Sequence, residues 1–162
     1  MSETNVEASG AGPAPARRYA GFWVRALASL VDDIIVMTAS LALTIFGLYV
    51  VYQATKPAAT FSEAFTGGFI QTVNLAAMTF VSVPYYIGFH WRFGWTPGKR
   101  IFGIRVIREI DDGSLSLGRS SARYFAQLLS AIPFGAGYLM AAMNPKKKAL
   151  HDAIAGTVSI LE

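Results

Sequence analysis

From Ile34 through Thr55 the chain carries no charged residue. At 1.5 Å of rise per residue, that run is about long enough for a helix to cross a hydrocarbon core ~30 Å thick. Arg25, Asp32 and Asp33 precede it without a break, so a membrane helix over about 22–52 has to accommodate charge near one end. Phe22 and Trp23, beside Arg17, Arg18 and Arg25, suit one membrane interface, and Tyr49 and Tyr52 suit the other. Measured from Trp23, Asp32 falls roughly 13 Å along the axis, beyond the headgroups. An ionised carboxylate at such a depth costs about 2.5–3.5 kcal/mol on insertion scales, so protein, water or a counter-charge must surround it. Arg25, Ser29 and Asp32 recur at steps of four and three and share a face, while Asp33 is turned about 100° away. Two readings follow. Either the stripe fixes helix packing by taking an ion pair or hydrogen bond from another segment, or the adjacent carboxylates hold an exchangeable proton or cation.

A chain of 162 residues with 53% hydrophobic and only 15% charged residues describes a small multi-pass membrane protein rather than a water-soluble globule. The net charge of +4 does not point to nucleic acid, because the basic residues sit beside apolar runs and form no separate basic domain. Anionic lipid headgroups are the expected partners. The absence of Cys excludes disulfides and thiolate metal sites. His90 and His151 are the only imidazoles, with no ligand spacing around them, so neither a metal nor any other cofactor is expected. No nucleophile is placed with His151 and Asp152, which argues against an enzyme.

Residues 1–16, rich in Ala, Gly, Ser and Pro, lack the basic start and apolar core of a signal peptide and read as a disordered tail. A second uncharged run predicts a helix over about 69–89, closed by the aromatic and basic cluster His90 to Trp95. Of 14 Lys and Arg, only Lys56 lies between the two spans. The cation bias places the N-terminus and the region after Phe89 in the cytoplasm, and the protein in a cell (inner) membrane. Thr96-Pro97-Gly98 suits a turn that lets Lys99 and Arg100 reach headgroup phosphates. Ile101 to Ile110, Asp111-Asp112-Gly113 and Ser114 to Leu117 read as a β-hairpin over about 101–117. A broken helix follows over about 119–145. Its apolar part could cross, but crossing would export Lys146, Lys147 and Lys148, and Ile132 to Gly137 interrupts it. It is therefore either a re-entrant pair of half-helices or a third span. The three lysines bind anionic lipid or act as a topology signal only. Residues 148–161 hold the His-Asp block and a strand-like end that could add to the hairpin. The fold class is thus all-α in the membrane, with two spans, a third broken segment and a small cytoplasmic β element.

Three blocks in order carry a resemblance: R-A-x-A-x-x-x-D-D at Arg25 to Asp33, T-P-G-K-R-x-x-G-I-R-V at Thr96 to Val106, and K-A-L-H-D-x-x-A-G-T-V at Lys148 to Val158. Together they resemble the RDD family of small membrane proteins, over everything from about Tyr19 onward. The resemblance implies that the name-giving Arg and two Asp are Arg25, Asp32 and Asp152. It also implies a membrane domain suspected of transport, with some members linked to cation/proton exchange. Arg25, Asp32, Asp33 and Asp152 are accordingly the candidate intramembrane polar site, with Asp152 a possible partner of Arg25. Two functions fit: a transport component moving a proton or cation, completed by homo-oligomerisation, or a non-catalytic scaffold whose polar stripe docks other membrane proteins.

Overall fold

Both uncharged runs are helical in the computed structural model, which describes residues 18–55, 63–131 and 136–162. Helix α1 covers Phe22–Thr55 and α2 covers Glu63–Phe93. Within their most apolar windows only 17% and 11% of residues are buried inside the chain, so the outward side chains need a solvent other than water. Hydroxyls on α1 are satisfied within the helix, as lipid demands: Thr38 donates to the Ile34 carbonyl (2.8 Å), Ser40 to Val36 (2.7 Å) and Thr44 to Ser40 (2.9 Å). The two helices form an antiparallel pair. Thr44 meets Asn74 at 3.3 Å midway along, and Tyr85 and Tyr86 near the end of α2 meet Asp32 and Asp33 near the start of α1.

A small polar-anchored module is built at that end. It begins with α3, Pro97–Ile101, followed by β1, Ile104–Arg108. Later come α4 (Leu117–Ala131), α5 (Ala136–Met143), α6 (Leu150–Ala155) and β2 (Thr157–Leu161). β1 pairs antiparallel with β2, Ile104 opposite Leu161 and Arg108 opposite Thr157. Tyr19, just before α1, bridges to Ile160 on the other side of β2. Buried Ala20, Ala28 and Ile104 form the apolar floor beneath the first turns of α1, with Val24, Phe102 and Leu161 packed against them, while Val158, opposite Ile107, is buried on the other face of the sheet.

The expected hairpin over 101–117 is therefore corrected. Ile101 ends a helical turn, Ser114 to Ser116 are not a strand, and Leu117 opens α4. The turn itself exists, with Arg108 N donating to the Gly113 carbonyl at 3.0 Å. The strand that pairs with β1 is the C-terminal one, as its strand-like end suggested, and the pairing buries Val158 opposite Ile107.

α4 and α5 are about 22 and 12 Å long, and neither is long enough to cross a bilayer. Arg123 in the first half of α4 bonds Asp152 of α6, and Lys147, just past α5, bonds Arg25, so both outer halves of the pair lie at the same end of α1. The two helices touch closely at Gly137, where an added Cβ would lie 2.7 Å from the Ser130 Cβ. The interruption over 132–135, the tail 1–16 and loop residues 56–62 lie outside the described residues.

Candidate functional site

Asp32 is fully buried at one end of this module and is occupied by three donors. Tyr85 Oη donates to Oδ1 at 2.8 Å, Gly98 N donates to Oδ1 at 2.7 Å, and Thr96 Oγ1 donates to Oδ2. The local sequence explains the arrangement. Pro97 starts α3 with φ already set, and Gly98 exposes one of the N–H groups that a helix start leaves without an internal partner. A carboxylate is the natural acceptor there. Gly98 is required because a Cβ would collide with the Ala28 carbonyl and lie 2.8 Å from Asp32 Cγ. Asp32 thus fastens the Thr96 to Gly98 turn onto α1.

Asp152 is the second anchor and is equally buried. Its carboxylate takes Arg25 Nη2 on Oδ2 and Arg123 Nη1 on Oδ1, and it accepts Ala149 N at 3.1 Å. Arg25 Nη1 also donates to the Lys147 carbonyl at 2.8 Å, and Arg123 Nη1 to Thr157 Oγ1 at 2.7 Å. Three elements, α1, α4 and α6, therefore meet on one carboxylate. Burial works against its charge, but Arg123 and Arg25 more than offset this and hold the Asp152 carboxyl well below the usual range. Beside it, His151 Nε2 lies 3.2 Å from Arg25 Nη2. A guanidinium can only donate, so Nε2 accepts and the ring is neutral. Burial first, then Arg123, push the His151 pKa far down.

Asp33 and Lys99 face a different environment. Between α1, α2 and α4 lies a cavity of about 600 Å³, and Arg25, Asp33, Lys99, Arg123 and His151 line it. Asp33 accepts Tyr86 Oη at 2.7 Å and remains exposed. Ser82 and Tyr124, bonded to each other at 3.0 Å, and Gln127 add neutral polar groups, while Val36, Met37, Met78 and Leu128 supply apolar wall. The expectation that Lys99 reaches headgroups at the protein surface is corrected: it is 3% exposed and turned inward, with Nζ 2.9 Å from His90 Nε2. His90 Nδ1 lies 2.7 Å from the Tyr86 carbonyl, which can only accept, so Nδ1 carries the proton and Nε2 receives Lys99. Burial, and then the Arg123 charge, lower the Lys99 pKa to about 7. The lock on Asp32 is what aims Lys99 inward, by fixing α3.

Arg100 does stay at the surface, over the Trp95 ring at 5.3 Å. Lys146 and Lys148 both bond Glu109, and these contacts pull its carboxyl below its ordinary range. Lys147 is exposed. Among the described residues no cluster of three or more His, Cys, Asp or Glu could hold a metal.

Sequence reasoning did not single out Arg123, Lys99 as a cavity residue, or the Tyr85-Tyr86 pair. Signals existed. Arg123 is the cation that directly precedes an apolar run, and adjacent tyrosines near the end of one span match adjacent aspartates near the start of the other.

The sequence model of the RDD family matches residues 19–156, nearly the whole described chain and all the anchoring residues. The chain belongs to the RDD family. It is 37% identical over 147 residues to the uncharacterized Bacillus subtilis protein YxaI, covering 85% of this chain and 94% of that one. It is 34% identical over 143 residues to the uncharacterized protein YckC of the same organism, with 85% and 82% covered. It is 27% identical over 149 residues to the uncharacterized membrane protein YteJ, also from Bacillus subtilis, with 89% and 82% covered. No solved structure matches. With two long lipid-facing helices and this family, the RDD chain is a membrane protein.

Proposed function

We propose that this RDD protein is a transport component of a cell (inner) membrane, exchanging a proton or small cation at the cavity between α1, α2 and α4. One observation carries the reading: a carboxylate, Asp33, and a buried amine, Lys99, face one cavity in a membrane domain. The two groups differ in kind. Asp33 can bind a cation or proton, and an amine whose pKa is lowered to about 7 changes charge near neutrality. Asp32 and Asp152, committed to anchoring, hold the walls in place, so the exchanging carboxylate is Asp33. In this reading the end bearing Arg25, α3 and the sheet is cytoplasmic, because every Lys and Arg of the described chain gathers there. α4 and α5 then form a re-entrant pair in the inner leaflet, and a homo-oligomer completes the path that two spans alone enclose poorly.

Purified protein in liposomes tests this. An imposed Na⁺ or H⁺ gradient should relax faster with protein than without, and Asp33→Asn should suppress that flux while the protein stays folded. Flux that is absent from the wild type, or intact in the variant, refutes it. Arg25 and Asp32 take their partners within the chain, which favours the cavity over a stripe that docks another protein's helices.

A further inference from the structure

The cavity that Asp33 and Lys99 share has a polarity that ion exchange alone does not explain. Arg25, Lys99 and Arg123 line it together, Arg25 and Arg123 both bonded to Asp152 and Lys99 within range of both charges. The carboxylates that balance them, Asp152 and Asp32, lie behind these side chains and do not line the cavity. Only Asp33, set apart on the α1 wall and bonded to Tyr86, presents negative charge to the space. The opposite side is apolar. Met37, Met78 and Leu128 line the cavity and are at the same time exposed on the lipid-facing surface, 62%, 44% and 53% respectively. The opening therefore lies between helices and faces acyl chains, with cations at its inner end.

We propose that this cavity binds the phosphate headgroup of an anionic phospholipid, entering sideways from the bilayer, with Lys99 and Arg25 as its ligands and an acyl chain lying along Met37, Met78 and Leu128. Charge complementarity favours the phosphate, and an opening on the bilayer side favours a lipid over a dissolved anion. An ammonium hydrogen-bonding to phosphate in a water-poor space is a strong, charge-assisted contact. The groups facing Lys99 are Asp32 and Arg25 on α1, His90 on α2, Arg123 on α4, and His151 and Asp152 on α6. Both histidines accept a hydrogen bond from a cation and are neutral, so Lys99 is the group whose protonation varies near neutral pH. A bound phosphate keeps it charged, and lipid binding should weaken as pH rises from about 6 to 8.5.

The test uses the full-length protein and needs no transport, so its outcome is separate from that of the flux experiment. Native mass spectrometry from neutral phosphatidylcholine nanodiscs, titrated with phosphatidylglycerol of the same acyl chains, reads the affinity. The wild type should retain one phosphatidylglycerol per chain. Lys99→Met should weaken it about tenfold, the worth of one hydrogen bond between charged groups. Leu128→Trp narrows the opening from a lipid-exposed position and leaves the cations intact; it should also weaken binding. Arg100→Gln, on the same turn but outside, should not. Equal retention of phosphatidylcholine and phosphatidylglycerol overturns the proposal, as does undiminished binding in Leu128→Trp. Displacement by millimolar inorganic phosphate would assign the cavity to a soluble anion and overturn the lipid as occupant.

Discussion

Replacing Gly98 by Ala adds one methyl group at the point where α3 meets α1. Its carbon would overlap the Ala28 carbonyl oxygen and lie 2.8 Å from both Cγ and Oδ1 of Asp32. Ordinary contact begins near 3.4 Å, so α3 has to withdraw by more than half an ångström. The Gly98 N to Asp32 Oδ1 bond, now 2.7 Å, would stretch past useful length. Overpacking of a close contact costs about 1–3 kcal/mol, and a hydrogen bond to a buried charge contributes about 1.5–3 kcal/mol. Together they give an expected loss of about 3–5 kcal/mol. Gly88→Ala is the matched control: it lies on α2, a Cβ there meets nothing within 4 Å, and Ala is favoured over Gly inside a helix by about 1 kcal/mol. Reversible unfolding in mixed micelles, followed by the fluorescence of Trp95 beside the turn, measures both. If the two variants differ by less than about 1 kcal/mol, Asp32 does not fasten α3 and the reasoning fails.

Exchanging the charges of Arg25 and Asp152 should not restore the stability lost in either single reversal, because Arg123 also bonds Asp152 and would then face a new arginine; a double-mutant cycle with Asp152→Asn, expected to cost about 3–5 kcal/mol, measures this. Stability should rise with pH from about 7 to 10. Lys99 loses its proton near 7 when folded but holds it to its ordinary, higher value when unfolded, so the unfolded state binds more protons across that window. Urea midpoints at several pH values should show the rise in wild type and lose it in Lys99→Met.

The spans were legible because an uncharged run of that length has few other uses, and the partnership of Arg25 with Asp152 because two isolated opposite charges at one membrane face need each other. The strand-like end was legible as a partner for Ile104 to Arg108, and the sheet does close with Thr157–Leu161, whereas the return of Ser114 to Leu117 that local alternation suggested does not form. What stayed hidden is long-range. Lys99 read as a surface cation because it follows the Thr96-Pro97-Gly98 turn and stands beside Arg100. Only the three-dimensional meeting of Gly98 with Asp32 turns it inward, whereas the matched Tyr85-Tyr86 and Asp32-Asp33 pairs did leave a signal of the register between α1 and α2.

The strand β2 lies between β1 and the segment that leads into α1, with Ala20 N bonded to the Ser159 carbonyl and Leu161 N to the Arg18 carbonyl. During synthesis both long helices have left the ribosome before this strand exists. The first helix therefore waits in the bilayer with its entry unsecured, and a late-made stretch of a dozen residues, carrying Asp152 and β2 together, closes the structure around it.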